Sequence, residues 1–260
     1  MSLDFAAQEL RVIADYSRDP NLLSCYIGDN RRDMHSITGA GIAGVTYEDF
    51  VSVLNTPEHP KFKDYKTFRA QGKAVNFASE YGVGAKKMGL TLRVSKDTAQ
   101  DYLNRKYEAF AASERWKEDV IAEGRTQKYV TTKMGVRRHL GNLGNGDNRD
   151  ERQAVNFKIQ GSSAEMTKLA MARMWQSNVF EQYDCRFIAP IHDEVVWSIE
   201  GSQAYDFACE IHRCMVQPYA DMFVPIESSV SLGANFGDQI ECQLTRGSIE
   251  AAVQQSLGVL

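Results

Sequence analysis

Through most of the chain, apolar residues recur every three or four positions, which predicts helices. Residues 95–124 place Tyr102, Leu103, Tyr107, Phe110, Trp116, Val120 and Ile121 at that spacing, so a long helix, or two in succession, is expected up to a stop at Gly124. Residues 151–178 predict a second long helical stretch with Gly161-Ser162-Ser163 as a bend. Shorter helices are expected over 61–81, stopped by Gly82 and Gly84, over 202–215, and from a Thr46 cap to Leu54, before Pro57 and Pro60 break the chain. Residues 247–260 predict an amphipathic tail helix. Strand patterns are fewer. Residues 3–6 read as a strand running into a helix with Leu10, Val12 and Ile13 inward. Residues 128–140 predict a hairpin turning at Met134-Gly135, and residues 141–146 a Gly/Asn loop. Residues 187–199 predict a second hairpin turning at His192-Asp193-Glu194, and 224–231 a further strand, with the compact part ending at Gly237.

Composition narrows the class. A chain of 260 residues can bury a sizeable core as one domain or two joined subdomains. No stretch approaches the ~20 apolar residues of a membrane span, and Met1-Ser2-Leu3-Asp4 has neither the basic start nor the apolar run of a secretory leader. Five scattered cysteines without a C-x-x-C pair argue against a disulfide framework or a zinc site, so a reduced, cytoplasmic protein is expected. A net charge of −4 argues against an indiscriminate polyanion binder and leaves room for local basic patches beside an acidic metal site.

Candidate chemistry concentrates in a few places. Arg69, Lys73, Phe77 and Tyr81 are spaced by four. Each step of four turns about 400°, so the row stays on one helix face and runs about 18 Å. Two cations, an aromatic ring and a phenol in that order match the polarity of a nucleoside triphosphate. The same row also suits an amphipathic helix with solvated cations. Arg152, Asn156 and Gln160 repeat the spacing on a later helix, where they can hydrogen-bond base edges or sugars or form a plain polar face. Residues 125–152 are the most basic sizeable segment and include Arg137. His192-Asp193-Glu194 sets two carboxylates at a turn between half-buried strands, costly unless they are solvated, paired or bound to metal. Asp4 sits near a strand end, Glu9 follows on the next helix, and Asp33, His35 and Thr38 lie at helical or turn spacing.

In order along the chain these segments resemble the polymerase core of the family A DNA polymerases, the bacterial DNA polymerase I family. Asp4 to Arg11 is similar to motif A, usually D-Y-S-Q-I-E-L-R. Arg69, Lys73, Phe77, Tyr81 and Gly82 match motif B, R-x3-K-x3-F/Y-x3-Y-G, at every specified position. Arg152, Asn156 and Gln160-Gly161 match R-x3-N-x3-Q-G, and His192-Asp193-Glu194 matches motif C. Asp33-x-His35-x-x-Thr38 and Gly233-x-Asn235-Phe236-Gly237 fit as well.

The resemblance implies an α+β fold: a small antiparallel palm sheet backed by helices, with a helical fingers insertion. Palm is expected over 1–30 and 126–237, fingers over 31–125 and a tail over 238–260. It implies a DNA-directed DNA polymerase that moves nucleotidyl groups from dNTPs to a primer 3′-OH with release of pyrophosphate. Two Mg²⁺ ions, with Mn²⁺ as a substitute, would be held by Asp4, Asp193 and the Phe5 carbonyl, with Glu194 auxiliary. Arg69, Lys73 and His35 would hold the triphosphate, and Lys73 would serve either as general acid toward the pyrophosphate or as a bridging cation without proton transfer. Glu9 and Phe77 would exclude the ribose 2′-hydroxyl, Tyr81 would sit at the template base, and Arg152, Asn156, Gln160, His192 and Arg137 would contact primer-template DNA.

Ala6, Ala7 and Gln8 depart from the family's Ser, Gln and Ile. Thumb and exonuclease domains, which precede motif A in the family, are expected to be absent. Either a second polypeptide carrying them is the expected partner, in a bacterium or a phage-infected host, or the sequence is a truncated piece of a longer polymerase. A phage-type RNA polymerase, disfavoured by Glu9 and the motif B pattern, and a non-catalytic DNA- or nucleotide-binding remnant are the competing readings.

Overall fold

The computed structural model describes residues 1–80, 82–141, 148–217, 219, 221–256 and 258, with the side chains of Glu80 and Asn148 left aside. The expected Tyr81 position and residues 142–146 of the Gly/Asn loop lie outside the described residues. The chain divides into two compact units, Met1–Val12 with Ile159–Leu260, and Ile13–Lys158. Both are built from a small number of strands and many helices, the mixed α+β class expected from the sequence.

The first unit is an antiparallel sheet of five strands in the order β4-β5-β1-β6-β7. These are β1 (Ser2–Phe5), β4 (Cys185–Ile191), β5 (Glu194–Ile199), β6 (Ser228–Leu232) and β7 (Ile240–Cys242). Strand β1 is central, with Leu3 opposite Val195 on one side and Val230 on the other. Leu3, Val195 and Val230 are all buried, so this strand carries the core of the sheet. Helix α11 (Ala204–Val216) backs it, as Phe207, Ala208, Ile211 and Met215 fall on one fully buried stripe at helical spacing. Phe207 meets Trp197 edge-on at 5.2 Å. Beyond Gly237, where the sequence pattern suggests the compact part ends, β7 pairs with β6 and helix α12 (Arg246–Ser256) buries Ile249 and Ala252. Strand β6 begins at Ser228, four residues later than expected. The segment before it serves instead as an anchor: the guanidinium of Arg11 donates to Pro225 O and to the Glu227 carboxylate, both at 2.6 Å.

The second unit is mainly helical. Its helices are α2 (Pro20–Tyr26), α3 (Met34–Ala43), α4 (Tyr47–Leu54), α5 (Phe62–Glu80), α6 (Ala85–Leu92), α7 (Lys96–Ala109) and α8 (Ala111–Gln127), followed by the hairpin β2 (Tyr129–Thr131) and β3 (Arg137–His139). Helix α1 (Gln8–Ser17) and helix α9 (Asn148–Gln176) each begin in one unit and end in the other, and α10 (Val179–Gln182) is a single short turn after α9. Helix α9 is unbroken at Gly161-Ser162-Ser163. Ser162 and Ser163 are buried there, and Gln8 donates to Ser163 O at 3.2 Å, so the small residues serve close packing. Helix α8 runs through Gly124 and ends where Lys128 takes the left-handed conformation and its N–H reaches Gly124 O at 2.8 Å.

Two local devices hold this unit. Asp19, 1% exposed, caps α2 through one carboxylate oxygen, accepting from Asn21 N and Leu22 N. Its other oxygen accepts from Ala112 N and Ser113 N at the start of α8. One carboxylate therefore satisfies orphan N–H groups of two helices. The second device is the crossing of α3 on α5, where Gly39 and Gly72 let the backbones meet. A Cβ on Gly72 would lie 2.7 Å from His35 O and 2.9 Å from Gly39 N.

Candidate active site

In the first unit the chain brings together the carboxylates singled out in the sequence. The hairpin β4–β5 closes through His192 and Asp193, with Ile191 paired to Glu194. His192 is exposed and takes the left-handed conformation, φ 57°, unusual for a residue with a side chain. Asp4 stands directly opposite Glu194 in the β1–β5 register, and Phe5 N donates to Asp193 O at 3.2 Å. Like charges directly across a ladder destabilise a sheet. Burial, reinforced by Asp193 and then Glu194, pushes the Asp4 carboxyl up to about 6. Asp4 Oδ1 is buried with no hydrogen-bond partner.

A buried, unpartnered carboxylate oxygen beside two further carboxylates fits a hard divalent cation. Among the described residues no group of three or more His, Cys, Asp or Glu side chains is arranged to hold a metal ion alone. Mg²⁺ tolerates such a partial donor set, because it keeps several waters and takes substrate phosphates as ligands.

Motif A is held rigidly around Asp4. Arg11 is 4% exposed and its Nε donates to Ala6 O at 2.8 Å, in addition to its bonds on the β6 side. Gln8, where the family carries an apolar residue, is buried and satisfied by Ser163 O and Thr167 Oγ1. Glu9 lies half-buried in the first turn of α1.

In the second unit α5 turns Tyr65, Val75 and Asn76 inward and leaves Arg69, Lys73 and Phe77 exposed along one face, as the four-residue spacing predicts. Phe77 is 50% exposed, which disposes of a core-stripe role for it. Lys73 Nζ lies 5.9 Å from the centre of the Phe77 ring and the His35 ring 5.8 Å from it, so His35 on α3 joins this face. Burial holds His35 below its ordinary value; Asp33 opposes this, while Arg69 and Lys73 add to it.

Two residues that bear on this face were given no role in the sequence reading of the site, although Asp33 was singled out there by its spacing to His35 and Thr38. Asp33 caps α3 by accepting from Ser36 N and also accepts from Arg69 Nε at 2.8 Å. Burial raises its carboxyl, but the bonds from Ser36 and Arg69 outweigh this and leave it below the usual range. The signal was the Asp just before a helical run. The second residue is Asn76, buried between α3 and α5.

The positions singled out for nucleic acid fall on α9 and the small hairpin. Arg152 and Gln160 are exposed and Asn156 half-buried, on one face of α9. Arg152 Cδ packs so close to Gly82, φ 68°, that a Cβ there would lie 2.8 Å from it. A cleft of about 470 Å³ is lined by Ser79, Gly82, Lys117, Arg152, Val155 and Asn156, among others. Arg137 is exposed and stacks its guanidinium 4.8 Å above the Tyr129 ring.

Residues 1–238 match the model of DNA polymerase family A. The chain is 27% identical over 240 residues to the thermostable DNA polymerase I of Thermus aquaticus, covering 91% of this chain and 27% of that protein. It is 27% identical over 241 residues to DNA polymerase I of Streptococcus pneumoniae strain TIGR4, covering 91% of this chain and 26% of that protein. The chain thus spans about a quarter of the length of the curated relatives it matches. Among solved structures, the POL domain of Pol1 from M. smegmatis, in complex with DNA primer-template and dNTP, shares the fold with a TM-score of 0.72 at 24% identity, over 88% of this chain and 38% of that one. With the family model matched over nearly the whole chain, and with a five-stranded antiparallel sheet and a helical unit of the palm and fingers type, this chain belongs to DNA polymerase family A.

Proposed function

We propose that the chain carries out template-directed DNA synthesis, moving a nucleotidyl group from a dNTP to a primer 3′-OH. The observation that carries this reading is Asp4: a buried, unpartnered carboxylate oxygen opposite Glu194 and beside Asp193, in a member of this family. The palm reading attaches to residues 1–30 and 126–237 and the fingers reading to 31–125; β7 and α12, expected as a tail, join the palm sheet.

Asp4, Asp193 and the Phe5 carbonyl would hold two Mg²⁺ ions in this reading, with Glu194 auxiliary, and Mn²⁺ would substitute. Such ions, when bound, stabilise the charge that develops on the attacking and leaving oxygens. Arg69, Lys73 and His35 hold the triphosphate; the exposure of Arg69 and Lys73 on one face of α5, with the half-buried His35 ring 5.8 Å from Phe77, supports that role. Lys73 donates a proton to the departing pyrophosphate. Asp33 orients Arg69 through the 2.8 Å bond, leaving the other guanidinium donors for phosphate. Glu9 and Phe77 exclude the 2′-hydroxyl, and Phe77, lacking a hydroxyl, disfavours dideoxynucleotides. Tyr81 is assigned to the template base. Arg152, Asn156, Gln160, His192 and Arg137 contact primer-template DNA, and acceptors common to all base pairs let such contacts check pairing without reading sequence.

Single-nucleotide incorporation opposite each of the four template bases tests the reading. Addition of only the complementary deoxynucleotide supports it. Equal use of rNTPs would favour an RNA polymerase, and DNA binding with no incorporation, with or without a thumb-bearing polypeptide, would leave a non-catalytic binder.

A further inference from the structure

Helices α3 and α5 enclose a polar contact that the triphosphate face does not itself explain. Asn76 lies one position before Phe77 and is turned inward, 2% exposed. Its side-chain amide meets three groups of α3. Thr38 Oγ1, on a residue only 1% exposed, donates to Asn76 Oδ1 at 2.7 Å. Asn76 Nδ2 lies 3.4 Å from Met34 O and 3.2 Å from His35 Nδ1.

The two ends of an amide have the same shape, so the partners must decide which way it points. Met34 O is a backbone carbonyl and can only accept. The NH₂ end of Asn76 therefore faces it; Thr38 Oγ1 lies 3.4 Å from the same carbonyl but only 2.7 Å from Asn76 Oδ1, so its single proton goes to the nearer acceptor and the carbonyl end of Asn76 faces Thr38. The second N–H of the same NH₂ group then meets His35 Nδ1. A donor at that nitrogen requires a lone pair, so Nδ1 carries no proton, and in a neutral imidazole the proton sits on Nε2.

We propose that Asn76 is a positioning residue that fixes His35 as the neutral Nε2–H tautomer, so that the ring offers a donor, not a lone pair, to a bound phosphate oxygen. The inference rests on the reading of His35 as a triphosphate contact. An ionised phosphate oxygen accepts hydrogen bonds, and a ring with its proton on Nδ1 would turn a lone pair toward it. Asn76 thus acts on the nucleotide through His35 and does not touch it. Burial of His35 and the nearby cations Arg69 and Lys73 work in the same direction, keeping the ring neutral.

Nitrogen NMR of protein labelled at its five histidines reads the tautomer directly, with the His35→Ala spectrum identifying the signal. The expected result is an unprotonated Nδ1 and a protonated Nε2. In Asn76→Asp, a carboxylate that can only accept should draw a proton onto Nδ1 and raise the titration midpoint of His35. A protonated Nδ1 in the neutral wild-type ring would overturn the inference, and needs no variant to fold. The dNTP KM supplies the second test. Asn76→Ala should raise it roughly three- to tenfold, the range of one lost hydrogen bond, and should add little once His35 is already alanine. Additive effects would mean that Asn76 does not work through His35, and would overturn the positioning role. If His35→Ala leaves the dNTP KM unchanged, the triphosphate reading of His35 fails, and the proposed role of Asn76 toward the nucleotide falls with it. The NMR result then stands only as the tautomer assignment, so the two failures are told apart.

Discussion

Gly72→Ala should cost this protein stability although it places a better helix former inside a helix. The added methyl group would lie 2.7 Å from His35 O, 2.9 Å from Gly39 N and 3.3 Å from Thr38 Cβ. Two of these are backbone atoms and cannot rotate away, so α3 and α5 must separate by some tenths of an ångström. Overpacking of this kind costs about 1–3 kcal/mol. Loosening the Thr38–Asn76 hydrogen bond adds up to about 1 kcal/mol. Alanine returns about 1 kcal/mol over glycine in a helix interior. The balance is a loss of up to about 3 kcal/mol, or a fall in Tm of up to roughly 12 °C for a chain of this size. Gly41→Ala, on the same α3, is the matched control. Its Cβ would meet only Arg105 Cβ at 3.7 Å, an ordinary contact, so the helix gain of up to about 1 kcal/mol should survive. Thermal unfolding followed by far-ultraviolet circular dichroism should move the two variants in opposite directions. A Gly72→Ala protein at or above the wild-type Tm would refute the close-crossing argument, as would a parallel fall in both.

Asp19→Ala removes the acceptor of four backbone N–H groups at the starts of α2 and α8, and urea unfolding should show a loss of roughly 2–4 kcal/mol; a change below about 0.5 kcal/mol would mean that water replaces the carboxylate. Asp4→Asn should make the metal-free protein more heat-stable at pH 8. The Asp4 carboxyl rises from its ordinary 3.8 to about 6 on folding, so its contribution is full below 3.8 and is lost as pH climbs through 6. The gap between variant and wild type should therefore open between pH 4 and 6 and stay constant above, and a gap independent of pH would contradict the carboxylate cluster. Phe77→Tyr should ease incorporation of dideoxynucleotides relative to deoxynucleotides in competition assays, and unchanged discrimination would remove Phe77 from sugar selection.

Local chemistry was legible in the sequence wherever a residue's neighbours along the chain decided the outcome. The Thr46 cap, the α5 face with Arg69, Lys73 and Phe77 outward, and the turns at Gly135 and His192-Asp193 all follow from spacing and side-chain type. What was missed depends on contacts distant in sequence. Two helices in succession were allowed for over this stretch, but nothing near Phe110 places the break between α7 and α8; the start of α8 is capped by Asp19, some ninety residues earlier. The short helices α2 and α6 bury too little to show a clear period, although Asp19-Pro20 was a usable start signal for α2. Strand β7 is three residues long and is a strand only because β6 is there to pair with it. In the site, the carboxylates could be named but not their mutual strain, since the β1–β5 register joins Asp4 to a residue near the other end of the chain. Asn76 resembled any polar helix residue until α3 supplied its partners.

The central claim is that the carboxylate cluster drives nucleotidyl transfer, and Mg²⁺-dependent extension of a labelled primer-template by the purified chain tests it most directly, run with and without a thumb-bearing polypeptide and beside Asp4→Ala and Asp193→Ala. The account predicts extension by the wild-type chain that requires Mg²⁺ or Mn²⁺ and is lost in both variants. Extension that survives both substitutions, or none under any of these conditions from a chain that still binds DNA, would contradict it.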